Sequence, residues 1–408
     1  MNYKGLFSVF VTVFIDLVGV GLVIPILAPM FISGTLLPAE SLQTRTFVLG
    51  LLIASYPFAQ FFGAPILGAL SDKHGRKKIL MLSLVGTFVG YILSAIGIYY
   101  NDLTLLFVSR LIDGFTGGNI STALSAIADL SDNKEKARNF GLIGMAFGLG
   151  FIIGPYLGGK LSDPTIVSWF SFTTPYLFAA SLTIINFLLV LAFFEETLKK
   201  PRHTPVSLMT GFKNIARAFS MTDLRVMFLV VFLFTFGFNF FTQFFQVFLI
   251  EKFSFTPSQI GEMFGYMGLF IALTQGILTR ALSKRFKPQQ ILPVSLILVA
   301  IALSLLLIPT HVSGIYLVIP FVSIFNGISH PNVTAIISNL ADRESQGEIL
   351  GINQSIQSLG MALPPVISGI VAGVHFSLPI IVASLTTCVA WLVFILFFKE
   401  TKEQFHEI

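Results

Sequence analysis

Charge is scarce in this chain: only 11% of its 408 residues are Asp, Glu, Lys or Arg, against about 25% in a typical soluble domain. That shortfall excludes an ordinary water-soluble globule, and 54% hydrophobic residues with a mean hydropathy of +0.85 exclude it again. A single cysteine, Cys388, rules out an internal disulfide and any cysteine-based metal cluster. No second histidine stands at ligand spacing from His330, so no metal is expected. Gly-x-Ser-x-Gly, His-Glu-x-x-His and phosphate-loop patterns are all missing, so neither enzymatic chemistry nor a cofactor is expected. The first apolar segment, about Leu6 to Met30, is too long for the core of a cleaved leader and contains Asp16 and two prolines. It is better read as a membrane span.

What is present is apolar sequence in lengths that fit a bilayer. Cutting at charged, Gly and Pro clusters leaves twelve segments of about 20 residues, the length that crosses the hydrocarbon. They lie near 5–30, 46–70, 78–98, 103–128, 138–161, 174–194, 224–248, 258–280, 289–309, 313–338, 347–373 and 377–398. The widest polar interval separates six spans from six. This predicts an N-terminal six-helix bundle over 1–194, a cytoplasmic central loop over 195–223, and a C-terminal six-helix bundle with a short cytoplasmic tail over 224–408. With an inside N-terminus, all of the 25 Lys and Arg fall on the cytoplasmic side except Arg45, Lys160, Lys252 and the intramembrane Arg110. Such a partition predicts both termini inside, in a plasma or inner membrane. The net charge of +5 therefore reports topology and not a nucleic-acid surface.

The halves echo each other. Gly114, Asn119, Ala128 and Asp129 recur at one constant spacing as Gly327, Asn332, Ala341 and Asp342. At a spacing three residues shorter, Gly141, Gly150 and Pro155 recur as Gly351, Gly360 and Pro365. Repeats of this kind are a transporter architecture, with the substrate site at mid-membrane between the halves.

Several residues carry chemistry. Gly150, Gly154 and Gly158 strip side chains from one helix face, and Gly159 adds another small residue, so a second backbone can approach closely. Pro155 removes an amide donor within that span and marks a kink. After span 2, Gly68-Ala-Leu-Ser-Asp72-Lys-His-Gly75-Arg76-Lys77-Lys78 requires a tight turn at Gly75 and offers Asp72 and Arg76 for gating contacts. Asp16 lies about eleven residues into span 1, roughly 16 Å deep at 1.5 Å per residue. Asp113 is about as deep from the opposite face, with Arg110 one turn outward. Acids at that depth face a cavity or a partner. Asp16 or Asp113 is expected to carry a proton, biased by Arg110. Polar side chains then mark a substrate cavity: Asn239, Gln243 and Gln246, in one stripe with Thr235 among phenylalanines on span 7; Asn353, Gln354 and Gln357 on span 11; Asn326 and His330 on span 10; Tyr56 and Gln60 on span 2. Amides among aromatic walls suit an amphipathic substrate. Thr256-Pro257-Ser258-Gln259 is a capping pattern that opens span 8, and Glu262 is read as a structural acid in its first turn, where the helix terminus favours one.

The loop Gly68-x-x-x-Asp72-x-x-Gly75-Arg76-Lys77-Lys78, the pair Arg110-x-x-x-Gly114, and Gly150-x-x-x-Gly154-Pro155-x-x-Gly158-Gly159 resemble the loop 2–3, helix 4 and helix 5 motifs of the major facilitator superfamily. Phe14-Ile-Asp16-Leu-Val-Gly19-Val-Gly21-Leu-Val-Ile-Pro25 is similar to the first helix of the tetracycline-exporter-like branch of twelve-span drug:proton antiporters. The resemblance implies an all-α integral membrane protein of the major facilitator fold, with twelve transmembrane helices in two pseudo-symmetric bundles. It implies that spans 1, 2, 4, 5, 7, 8, 10 and 11 line the cavity, that Arg76 pairs with Asp129, and that Asp72 faces the start of span 11 near Glu348–Leu350. Two positions depart from the pattern. Asp113 stands where glutamine is usual, and spans 3 and 9 lack the acids of tetracycline exporters. The expected activity is proton-coupled export of small amphipathic compounds by alternating access, by a monomer. The competing expectation is a facilitator or proton symporter for a metabolite or metal chelate.

Overall fold

The computed structural model describes residues 3–130, 136–198, 209–221, 224–340 and 346–398, and among them every regular element is a helix. In order these are α1 (Tyr3–Ile32), α2 (Leu42–His74), α3 (Arg76–Tyr99), α4 (Leu103–Thr116), α5 (Ile120–Leu130), α6 (Lys136–Leu161), α7 (Thr174–Phe193) and α8 (Thr210–Ser220). There follow α9 (Arg225–Phe253), α10 (Pro257–Leu273), α11 (Thr279–Ser283), α12 (Pro288–Leu305), α13 (Val312–Leu340), α14 (Gln346–Val374) and α15 (Leu378–Phe397). Ten of the described helices are long and apolar enough to cross a membrane, counting α10 with α11 as one. Span 5 is α6, of 26 residues. Span 4 is divided into α4 and α5 by a 3-10 turn at Gly117–Asn119, and span 8 carries a π-helical segment at Thr274–Leu278. The twelve expected spans are thus all helical. The polar interval between the halves contains one helix that had not been expected, α8.

The helix starts follow their sequence. Ser41 accepts from the Thr44 amide at 3.2 Å, Asp102 from Leu105 at 3.1 Å, and Thr256 and Gln259 form the reciprocal capping box, each satisfying amides that have no partner inside the helix. Packing divides the helices into two groups. α1 lies on α6 and α7, α3 on α4 and α7, and α2 on α4; in the second half α9 lies on α14 and α15, and α12 on α13 and α15. Much of the phenylalanine is here: Phe228, Phe240, Phe241, Phe244, Phe245 and Phe248 of α9 are fully buried. The sequence suggested an aromatic cavity wall around the α9 stripe. These rings instead interlock within the protein, because helix association in lipid depends on close van der Waals packing and bulky rings fill the interior.

The halves meet along two seams, α6 against α10 and α2 against α14. The seams are copies of one another. A methyl on Gly159 would lie 3.0 Å from Gly261 Cα and 2.6 Å from the Pro257 carbonyl oxygen; one on Gly369 would lie 3.2 Å from Gly50 Cα and 2.5 Å from that of Thr46. The Pro155 carbonyl bears on Gly261 as the Pro365 carbonyl bears on Gly50. All these contacts lie towards the end of the molecule that carries Lys160. Phe244, Val247 and Ala372 extend the first-half core at that same end. Towards the opposite end, which carries Arg76, a methyl on Gly276 or Gly351 would meet nothing within 4 Å. The closest approaches between the halves therefore lie at the Lys160 end, and Gly276 and Gly351 border open space at the Arg76 end.

Candidate functional site

Polar side chains from α1, α2, the broken span 4 and α7 converge inside the first half. On α1, Asp16 accepts from Asn119 Nδ2 at 2.9 Å and from Asn186 Nδ2 at 3.3 Å, tying α1 to the broken span 4 and to α7. Asn119 is the last residue of the 3-10 turn that interrupts span 4, and from there its side chain reaches Asp16. On α4, Arg110 Nη1 stands 3.9 Å from Asp113 Oδ2, and both side chains are at most a tenth exposed. The guanidinium lies over the Tyr56 ring, 4.8 Å from its centroid, an attraction that grows when water is excluded. Arg110 Nε and the Tyr176 hydroxyl have no hydrogen-bond partner among the described residues, so the cluster is not saturated. Tyr56 and Asp113 lie within electrostatic reach of each other and of both Asp16 and Arg110. The sequence had placed Tyr56 and Gln60 on the substrate cavity. Tyr56 faces Arg110, and Gln60 donates to the Gly117 carbonyl at 2.9 Å, so both also belong to this cluster. Asn186, which sequence reading missed, had one available signal: it is the one amide side chain in its span.

The amides of the second half are arranged differently. Asn239 is buried and donates to the Thr235 carbonyl of its own helix at 2.8 Å; Gln246 is buried and donates to that of Gln243 at 3.3 Å. Asn326 and Asn353 are buried, Gln243 and Gln357 half-buried, and His330 exposed. Gln246 Oε1 and Asn353 Oδ1 are buried acceptors with no partner among the described residues. The structure does not gather these residues into one hydrogen-bonded group, but it leaves acceptors on α9 and α14 that a ligand donor would satisfy.

At the Arg76 end, Arg76 ties α2, α3 and α5 together. It pairs with Asp72 at 2.6 Å and with Asp129 at 3.1 Å, and donates to Ser71 Oγ at 2.6 Å. The Arg76–Asp129 pair is the one the resemblance implied. Glu196, not singled out in the sequence, accepts from the backbone amides of Arg76 at 2.8 Å and Lys77 at 3.2 Å, placing an anion on the α3 N-terminus. Gly75 has φ +102, and a side chain there would strike the Glu196 carboxylate, so glycine is required twice over. Gly68 lets α2 approach Ser121 of α5. The expected approach of Asp72 to Glu348–Leu350 falls partly on side chains outside the described residues.

The small residues of α6 serve two faces. Gly150, Gly154 and Gly158 abut Leu17, Gly21 and Leu22 of α1, Gly159 abuts α10, and Pro155 touches both, its ring against Gly21 and its carbonyl against Gly261. The expected packing joint is therefore double, one face within the first half and one between halves. Beside it Lys160 Nζ donates to Glu262 Oε1 at 2.5 Å and to Ser258 Oγ at 3.0 Å. This corrects the reading of Glu262 as a first-turn acid. Glu262 is not in the first turn of α10, and it bridges the seam.

The family model described as Major Facilitator Superfamily matches residues 9–363 and again 227–407. The class C tetracycline resistance protein of Escherichia coli is 30% identical over 359 residues, covering 87% of this chain and 86% of that protein. The quinolone resistance protein NorA of Staphylococcus aureus (strain COL) is 28% identical over 409 residues, covering 99% of each. Among solved structures, a D-xylose-proton symporter superposes with a TM-score of 0.79 at 15% identity, covering 97% of this chain and 98% of that one. The human organic anion transporter MFSD10 (TETRAN) gives 0.74 at 22%, covering 96% and 99%. At those identities the structural likeness is one of fold.

Proposed function

Because the chain belongs to the major facilitator superfamily, a family of multi-pass membrane transporters and not of enzymes, we propose that it exports small amphipathic compounds in exchange for protons. Residues 1–194 and 224–408 rock against each other as two bundles joined by 195–223, in a plasma or inner membrane, as a monomer. The Lys and Arg distribution puts the Arg76 end and both termini in the cytoplasm. On that topology the seams are closed outside, and the open space beside Gly276 and Gly351 is read as splayed inner ends that open inward.

The observation that carries this reading is the grouping of half-buried Asp16 with buried Arg110 and Asp113 in one bundle. A carboxyl at this depth is costly to keep charged unless a cation or water attends it. Rocking changes the wetness of the site, so Asp16 or Asp113 binds a proton from one side and releases it to the other, with Arg110 setting the balance. Each positive charge carried inward along the membrane potential gains about 2.3 kcal/mol per 100 mV. The unpartnered acceptors Gln246 Oε1 and Asn353 Oδ1, with Asn239, Gln243, Asn326, His330 and Gln357, supply the substrate contacts. Arg76 with Asp72 and Asp129 organises the inner gate, and Lys160–Glu262 latches the outer one. The similarity to resistance proteins named for tetracycline and quinolone supports a drug-type substrate.

One observation favours a second reading, a facilitator or proton symporter: α3 and α12 contain no acid. A pH-jump assay in proteoliposomes against a compound panel separates the two. Antiport predicts that compounds drive protons out of the vesicles as they enter. Proton entry together with compound would establish symport, and compound flux with no proton movement would establish a facilitator.

A further inference from the structure

The helix α8 sits across the second seam, on the inward side of the glycine contacts. Gly211 abuts Phe61 of α2, and the Phe212 ring meets Phe61 edge-on at 5.2 Å and Phe62 at 6.0 Å. Two residues on, Asn214 Nδ2 donates to Ser355 Oγ of α14 at 3.1 Å. Ala218 is fully buried in the second-half core, with Ile215 packed against it. One short helix thus touches both bundles, between the parts of α2 and α14 that diverge. Its other face is unusual. Met209, Phe212 and Phe219 are each about half exposed, and Lys213 and Arg217, one turn apart, are exposed beside them. Residues 209–221 contain no acid. At about 100° per residue, Phe212 and Phe219 fall on one edge of the exposed arc and Lys213 and Arg217 on the other.

Such a helix lies in a membrane interface, with rings in the acyl region and cations among headgroups. We infer that α8 is an interfacial brace that binds the anionic phospholipid surface of the inner leaflet through Lys213 and Arg217 while its buried face bridges α2 and α14. Phospholipid is the occupant because it alone meets both halves of the exposed arc: acyl chains cover Phe212 and Phe219, and headgroup phosphates meet the exposed side chains of Lys213 and Arg217. Closing the inner ends of α2 and α14 displaces this brace, so the lipid that holds it also holds the splayed state.

The test uses the full chain in vesicles of phosphatidylcholine alone and of phosphatidylcholine with phosphatidylglycerol, with hydrogen exchange read over residues 209–221. Protection is expected to be higher with the anionic lipid, by about five-fold for each cation at the surface, and the difference is expected to shrink with added salt. In the double variant Lys213→Gln/Arg217→Gln, protection in neutral vesicles stays as in the native chain and the lipid difference disappears. Phe212→Ala/Phe219→Ala is expected to lower protection in both vesicle types. Equal protection of the native chain in the two lipids, or a lipid difference that survives loss of both cations, would overturn the assignment.

Discussion

In the first half, Arg110 and Asp113 stand four and one residues ahead of Gly114; the same steps ahead of Gly327 in the second half fall on Ser323 and Asn326. Both pairs are buried. The glycine, and the asparagine five residues after it, occupy both copies, while the charged pair occupies one. The seams repeat this pattern. Gly159–Gly261 and Gly50–Gly369 are equivalent contacts, but Lys160–Glu262 beside the first corresponds to Ile370 and Leu51 beside the second. Residues that let backbones touch are kept in both copies, because a side chain there is forbidden by space whatever the function. The buried pair Arg110 and Asp113 and the seam pair Lys160 and Glu262 have no charged counterparts in the other copy, whereas Asp129 recurs as Asp342. Chemistry divides along that line: the buried charged pair and the proposed proton path in the first bundle, neutral amides and the proposed substrate contacts in the second.

The largest effect should come from neutralising the charged copy. Asp113→Asn is expected to lower proton-driven transport about a hundredfold, the scale of losing a proton-transferring group, while binding of compound to the purified protein persists. Flux in proteoliposomes and equilibrium binding measure the two separately. Charging the neutral copy should be next. Asn326→Asp puts an unpaired acid at mid-membrane and is expected to cost about 3 kcal/mol by unfolding in detergent, and adding Ser323→Arg should restore part of it. Recovery would mean that the second bundle retains the geometry for a charged pair.

The outer latch is more modest. Its partners are 30% and 40% exposed, so Lys160→Met is expected to weaken closure by about 0.5–1 kcal/mol. A cysteine reporter on the outer face should then label two- to five-fold faster, whereas Ile370→Met in the apolar seam should leave labelling unchanged. The smallest effect is local to the first half. Glu196→Gln keeps an acceptor at the α3 N-terminus but removes the charge, for an expected loss of about 0.3–0.5 kcal/mol in thermal stability.

These contrasts were unequally legible in the sequence. Span limits could be read closely, since runs of apolar residues ended by charge record where lipid ends; α9 over Arg225–Phe253 runs only a few residues past its expected end. The Arg76–Asp129 pair followed from a motif. Glu196 did not, because its partners, the amides of Arg76 and Lys77, are backbone groups that leave no trace in the side-chain pattern. Lys160 and Glu262 meet only once α6 and α10 cross, and no local rule encodes that crossing. The amides of α9 looked like cavity residues, yet Asn239 and Gln246 turn their donors onto their own helix, the nearest carbonyls in a low-dielectric interior. For α8 a signal existed: Phe212, Ile215 and Phe219 recur at helical spacing in the polar interval, with the basic pair on another face.

The central claim is that the charged cluster of the first bundle exchanges a proton when compound binds. The direct measurement is proton release from purified protein in weakly buffered detergent, on addition of the compound that scores highest in the vesicle panel. The account predicts release from the native chain and none from Asp16→Asn/Asp113→Asn, with the compound still bound. Undiminished release from that double variant would contradict it.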